Sequence, residues 1–319
     1  MTSIAVTGST GLVGRALCST LREANPSIRV RPMVRRPVDD PEAVVWTAED
    51  GLAEAGALDG VDAVVHLAGE PIGPARWTAE RKQRIADSRV LGTRRLVETL
   101  TGGATPPKVL VQASAVGFYG DTGDTWADES SPNGAGFLAG VCRDWEEASS
   151  AAEEAGIRVV RLRFGHVLAQ GGLLGSLRGP TRLGLGGRLG SGRQFWSWIA
   201  IPDLVSIVLH AVSDPGWTGV LNAVAPAPTR NADFSREYAA VLRRPAWLPA
   251  PRFALRLAFG GEQAHEMLLW GQRVRPAGLQ RLGFRHAHSD LRTVLESVEA
   301  GTLSMPLEQA ASMTVAGGN

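Results

Sequence analysis

The chain has 319 residues, 33 Lys plus Arg against 32 Asp plus Glu, a formal charge of +1 and 44% apolar residues. That is the composition of a globular protein long enough to bury its own core, which excludes disordered and collagen-like classes and any need for disulfide stapling. Balanced charge speaks against nucleic-acid and membrane-surface partners, and Cys18 and Cys142 stand in no metal-ligand spacing, so no metal and a reducing compartment are expected.

The first residues form no basic or long apolar leader, and no apolar run approaches the roughly 20 residues that cross a bilayer, so a cytoplasmic protein is expected. Residues 4–7 read as a short buried strand, followed by a glycine-rich turn and a helix on which Val13, Leu17 and Leu21 recur every four residues. Strands are predicted over 28–34, 43–46 and 63–67. Val90, Thr93, Val97 and Leu100 then step along a helix that Gly102-Gly103 and Pro106-Pro107 terminate. A fifth strand covers 109–113. Leu138, Val141, Trp145, Ala148 and Ala152 mark another helix, and a sixth strand runs over 158–162. Such alternation predicts an α/β fold, a doubly wound parallel sheet of Rossmann type, with residues 1–168 as its dinucleotide-binding domain.

After residue 168 the pattern changes. Gly171 to Gly192 has little periodicity and is expected to be a loop-rich segment draped over a site. Helices are predicted over 202–212 and 231–242 and a strand over 220–222, with the segment 195–225 returning to the sheet. Pro245 to Pro251 reads as a connector to the last helices, which begin with Phe253 to Phe259. Residues 169–303 thus form a smaller substrate lobe with a C-terminal extension, and 304–319 are expected to be a poorly ordered tail.

Gly8-Ser9-Thr10-Gly11-Leu12-Val13-Gly14 is the strongest motif, because it follows a strand and opens a helix. The first glycine permits the tight turn, the second admits a pyrophosphate, and the third lets helix and strand approach. The second strand runs into Arg35 and Arg36, where NAD-specific proteins place a carboxylate. Two guanidiniums suit the 2′-phosphate of NADP, the alternative being a solvated arginine pair.

Several further blocks carry a family resemblance. They are His66-Leu-Ala-Gly-Glu-Pro-Ile72, Arg76-Trp-Thr78, Ser88-Arg89, Ala113-Ser-Ala-Val-Gly-Phe-Tyr-Gly120, Trp145-Glu146, Gly190-Ser-Gly-Arg-Gln194, Ser197-Trp-Ile199 and Gly271-Gln-Arg-Val274. With the glycine turn they resemble an extended short-chain dehydrogenase/reductase of the NAD-dependent epimerase/dehydratase superfamily, in its atypical TIGR-type epimerase branch, over about residues 3 to 295. The resemblance implies that Leu67, Ala68, Gly69 and Glu70 line the cofactor's ribose and pyrophosphate. It also implies that Ala113 and Ser114 lie where a hydroxyl polarises a substrate carbonyl, and that Arg163, Phe164 and Gly165 flank the nicotinamide. Ser114 is thereby a candidate catalytic group, the alternative being a turn cap.

Typical members use Tyr-x-x-x-Lys, and this chain has none. Tyr119 is followed four residues later by Gly123 and Tyr238 by Leu242, while the two lysines are Lys82 and Lys108. Counting back from Glu146 puts Leu138 in the tyrosine place and Cys142 in the lysine place. Cys142 is a candidate only if its surroundings lower a thiol pKa near 8.5; otherwise it is a buried packing residue. Tyr119, five residues beyond Ser114, is the remaining candidate acid, or an aromatic packed on Phe118 and Phe137.

Trp77, Phe118, Phe137, Trp196 and Trp198, with Arg193, are expected to wall a substrate cleft suited to a planar or apolar small molecule bearing an anionic group. His265-Glu266 fails as a zinc motif, since position 269 is Leu. The readings that remain are an NADPH-dependent oxidoreductase, an epimerase with tightly held NADP, and a non-catalytic NADP-binding protein, as monomer or homodimer.

Overall fold

The structure is a computed structural model that describes residues 2–73 and 75–305. All but two residues of the expected tail, 304–319, lie outside them. The N-terminal part comprises β1 (Ser3–Thr7), α1 (Leu12–Ala24), β2 (Arg29–Val34), β3 (Val44–Thr47), β4 (Gly51–Leu52), β5 (Ala63–His66), α2 (Ala79–Gly102) and β6 (Val109–Ala115). It continues with β7 (Trp126–Ala127), α3 (Phe137–Glu147), α4 (Ser150–Glu154), β8 (Arg158–Phe164), β9 (His166–Leu168) and α5 (Gly172–Arg182). There follow β10 (Phe195–Trp196), β11 (Trp198–Ala200), α6 (Ile201–Ser213), β12 (Gly219–Ala223), β13 (Thr229–Arg230) and α7 (Asn231–Val241). The chain closes with α8 (Arg252–Phe259), α9 (Gly261–Ala264), β14 (Arg273–Val274), α10 (Ala277–Arg281) and α11 (Leu291–Ala300).

One eight-stranded sheet has the order β12-β8-β6-β5-β1-β2-β3-β4. Every pairing is parallel except β3 with β4. The chain winds outward from β1 through β2 and β3, then returns to β5 on the other side of β1. The strand order therefore reverses between β1 and β5, where a doubly wound sheet opens a crevice at its carboxyl edge. Alternation along each strand feeds two cores. Ile4, Val6, Val65, Val109 and Val111 join α1 and α6 on one face, while Ala5, Val64 and Leu110 join α2 on the other.

Two expectations are corrected. Residues 172–182 form α5 despite three glycines and Pro180, because Leu174 is buried and Leu173 and Leu177 pack on the core of the C-terminal lobe. Tertiary burial there overrides poor helix propensity. The helix expected from Leu138 to Ala152 is two helices, α3 and α4, since Ser149 Oγ donates back to Glu146 O at 2.9 Å across the break. No helix among the described residues is long and apolar enough to cross a membrane.

Candidate functional site

At the end of β1 the chain turns through Gly8 at φ +64°. A Cβ on Gly8 would lie 2.8 Å from Leu67 O, and one on Gly14 only 2.2 Å from Gly8 O. Glycine at both places lets the first turn of α1 press against the end of the sheet. α1 begins after Gly11 with no side-chain cap and no acidic residue in its first turn. Its free N–H groups and positive dipole end are left for a ligand.

A cavity of about 900 Å³ opens at this point, lined by Gly8, Thr10, Gly11, Arg35, Leu67, Ala68, Gly69 and Glu70 together with Trp46 and Arg94. Ser9, Leu12, Val13 and Gly14 shape the turn from outside that lining; Ser9 is buried, its hydroxyl 3.4 Å from Met33 O. Arg35 and Arg36 are exposed, and neither forms an ion pair with a described residue. Trp46 contributes a buried indole N–H without an acceptor among the described residues. An uncapped helix end, an unpaired cation and an orphaned donor around one cavity fit a phosphate-bearing dinucleotide.

The floor of the cavity is latched by groups that motif reading missed. Thr7 Oγ1 accepts the N–H groups of Leu67 at 3.0 Å and Ala68 at 3.1 Å, and it lies 2.8 Å from His66 Nδ1. Having accepted twice, the hydroxyl donates to Nδ1, so the His66 proton sits on Nε2, 3.0 Å from Thr93 Oγ1. Trp145 Nε1 donates to the same Thr93 oxygen at 3.0 Å. Burial holds His66 neutral by lowering its pKa to about 4. Glu70 is fixed by an ion pair with Arg81.

The three candidate catalytic groups are turned into the protein. On β6, Ser114 shares a face with Gln112, whose side chain donates to Trp145 O on α3 at 2.6 Å. Ser114 Oγ accordingly donates to Glu146 Oε1 at 2.6 Å. Arg163 grips the same carboxylate through Nε at 2.8 Å and Nη2 at 2.7 Å, and its Nη1 donates to Tyr119 OH at 2.8 Å. The Tyr119 hydroxyl in turn donates to Asn222 Oδ1 at 2.7 Å. Burial pushes Tyr119 and Cys142 each up to about 12, the nearby Glu146 charge adding to the effect on the thiol.

Ser114, Tyr119 and Cys142, the candidate catalytic groups, are thus buried, with both hydroxyls donating to internal acceptors and the thiol held neutral. Arg163, expected beside the nicotinamide, stacks its guanidinium 3.4 Å from the Phe118 ring centre and pairs with Glu146. Glu146, hub of the network, served only as a position marker in the sequence. Ala113, Phe164 and Gly165 lie at the adjoining strand ends and outside the lining of the cavity.

Between the sheet and the C-terminal lobe, Trp77 and Phe137 meet edge to face at 5.1 Å, with Lys82 Nζ 4.8 Å from the Phe137 ring centre. The lobe holds this wall in place. Gln263 accepts from Trp77 N at 3.1 Å, Glu262 pairs with Lys82 at 2.8 Å, and Glu266 accepts the Phe137 and Leu138 N–H groups at 2.8 Å each. Glu266 thus caps α3 from across the chain. Trp196 and Trp198, expected to wall the substrate, are packed in the lobe's core with Phe234 and Tyr238, where their strands pair with β13 and β9. Arg193 is exposed. Among the described residues no group of three His, Cys, Asp or Glu is placed to hold a metal.

Residues 4–221 match the NAD dependent epimerase/dehydratase family. The chain belongs to that family. Residues 250–298 match a domain of unknown function, DUF1731. An epimerase family protein of Mycobacterium leprae is 42% identical over 293 residues, 92% of this chain and 94% of its own. The human epimerase family protein SDR39U1 is 36% identical over 301 residues, 93% and 99% of the two chains. A crystal structure of human SDR39U1 (isoform 2) with NADPH superposes with a TM-score of 0.83 at 34% identity, covering 94% of this chain and all of that one. In this epimerase/dehydratase family member, Leu138 and Cys142 stand on α3, and the DUF1731 segment supplies Glu262, Gln263 and Glu266 to the contacts with Lys82, Trp77 and the start of α3.

Proposed function

We propose that this family member binds NADP(H) in the 900 Å³ cavity and serves hydride transfer to a small-molecule carbonyl, imine or related acceptor placed on the side of Trp77 and Phe137. The observation that carries the reading is the uncapped, glycine-lined end of α1 opening beside Arg35, which pairs with no described carboxylate. The NADPH in the human relative supports the choice of cofactor. When bound, NADPH supplies a hydride.

This chain's residues bind and orient. Backbone N–H groups from Gly11 onward take the pyrophosphate, Arg35 with Arg36 takes the 2′-phosphate, and the Leu67–Glu70 floor, held by Thr7, meets the ribose. Trp77 and Phe137 exclude water from the acceptor, and Lys82 favours an anionic group upon it. Ser114, Tyr119 and Cys142 move no proton, so the acceptor takes its proton from water or from its own acidic group.

NADPH and NADH titrations, followed by loss of the reduced-nicotinamide absorbance with a panel of carbonyl and imine acceptors, test this. Tight NADPH binding with stoichiometric consumption is expected; absence of NADPH binding refutes the reading. A second reading, an NADP(H)-binding protein without turnover, is favoured by the inward-facing hydroxyls. Binding without conversion of any acceptor would select it. Epimerisation without net consumption requires a base that none of the three candidate groups offers.

A further inference from the structure

One face of the C-terminal lobe combines protruding apolar side chains with unpaired arginines. Leu183, just beyond α5, is 78% exposed; Trp247 is 86%, and Phe253 and Leu257 on α8 are 74% and 76%. These segments are neighbours. Ala250 N donates to Arg188 O at 2.9 Å and Gly190 N to Ala250 O at 2.8 Å, while a Cβ on Gly187 would lie 2.2 Å from Leu248 O. α8 follows directly, burying Leu255 and turning Phe253 and Leu257, one helical turn apart, outward. A cavity of about 510 Å³ lies here, lined by Arg188, Arg236, Arg244 and Trp247.

The charge is one-sided. The sequence has no Asp or Glu between Glu154 and Asp203, and none between Glu237 and Glu262. On the adjoining α7, Asp233 pairs with Arg236 at 2.6 Å and Glu237 with Arg292 at 2.9 Å. Arg256 donates to His265 Nε2 at 3.2 Å. Arg182, Arg188, Arg243, Arg244 and Arg252 form no ion pair with a described residue. The near-zero charge of the whole chain, which argued against membranes, conceals this concentration.

We propose that this face docks on bilayers containing anionic phospholipid, with Leu183, Trp247, Phe253 and Leu257 entering the interface and Arg188 and Arg244 holding headgroup phosphates. Apolar and aromatic side chains ringed by arginine are what the boundary between headgroups and acyl chains accepts. Each apolar side chain stands almost clear of the surface, and the adjoining cavity is walled by Arg188, Arg236 and Arg244, a charge complement to headgroup phosphate. A second copy placed about a two-fold axis would set the arginines against their own kind.

The test uses the full chain with vesicles of phosphatidylcholine, with and without phosphatidylglycerol. Co-sedimentation only with the anionic vesicles is expected, falling as salt rises, with a blue shift of tryptophan emission. Arg188→Ser with Arg244→Ser should weaken partitioning about fivefold per arginine, roughly 25-fold in all. Trp247→Ser with Phe253→Ser should abolish it at unchanged charge. These side chains are exposed, so the melting temperature and NADPH affinity should hold and report a folded protein. The proposal is overturned if the wild type ignores anionic vesicles at low salt, or if both double variants bind like wild type. It is equally overturned if Trp247→Ser abolishes a wild-type dimer while leaving vesicle binding intact, which would assign the face to a second copy.

Discussion

Removing the Glu146 carboxylate separates a structural network from a catalytic one. Arg163 is 3% exposed, and two of its nitrogens are satisfied by Glu146. Glu146→Ala would leave the guanidinium buried with Tyr119 OH as its remaining partner, at a cost of about 3–5 kcal/mol. At about 2 °C per kcal/mol for a chain of this size, the melting temperature should fall by roughly 6–10 °C. Ser114→Ala removes one donor to a carboxylate oxygen that Arg163 Nε still serves, a loss of about 1–2 kcal/mol and roughly 2–4 °C. Neither side chain lines the cavity, so NADPH affinity should stay within a few-fold in both variants. Differential scanning fluorimetry with a cofactor fluorescence titration reads both quantities. If Ser114→Ala kept stability and NADPH affinity yet abolished turnover, the hydroxyl would be catalytic and the inward network misread. Equal destabilisation by the two substitutions would likewise refute the argument.

Four other outcomes are expected. Arg35→Asp should weaken NADPH by roughly 10–100-fold and narrow the preference over NADH, as loss of a charge-assisted phosphate contact and gain of repulsion require; unchanged NADPH affinity would remove the 2′-phosphate role. Gly14→Ala sets a methyl against Gly8 O and should abolish cofactor binding and lower the melting temperature, whereas wild-type behaviour would mean the turn yields freely. In acid, His66 keeps a pKa near 4 while the unfolded side chain titrates near 6.5, so stability is full above about pH 6.5 and falls toward pH 4, by roughly 3 kcal/mol. His166 acts in the same direction, and urea midpoints across this window read the sum. In alkali, Cys142 and Tyr119 hold their protons to about 12, whereas the unfolded thiol and phenol release theirs near 8.5 and 10, so stability drops above about pH 9. Cys142 should accordingly resist alkylation at pH 8 until the chain is unfolded, a result mass spectrometry would show directly.

The parts of this molecule that were legible in the sequence are those whose cause is local. Residues 4–7 followed by a three-glycine turn could be read because strand, turn and helix end are neighbours in the chain, and a doubly wound parallel sheet follows once six strands alternate with helices. α5 was illegible because its helix-forming residues are poor and what holds them is a lobe core assembled from distant segments. Trp196 and Trp198 misled for the related reason that a tryptophan is equally suited to a cleft or a core, and only pairing with β13 and β9 decides.

Ser114 was more nearly legible than its assignment suggests. Val109 and Val111 face the α1 side of β6, so counting in twos sends Leu110, Gln112 and Ser114 to the opposite face, against α3 and Glu146. What counting could not reveal is that Arg163, 17 residues beyond Glu146 in the chain, completes the pairing and draws in Tyr119 across 44 residues. Enumeration removes the tyrosine–lysine dyad, and strand parity with a buried ion pair turns the Ser114 and Tyr119 hydroxyls inward. On the proposed reading, in which the cavity lined by Gly8, Gly11 and Arg35 takes the dinucleotide, any turnover should depend on cofactor and acceptor orientation and not on the titration of a side chain. A flat profile of turnover against pH between about 6.5 and 9, where neither the buried histidines nor Cys142 titrate, is the signature that orientation alone predicts, and a bell-shaped profile within that window would point to a base elsewhere in the cleft.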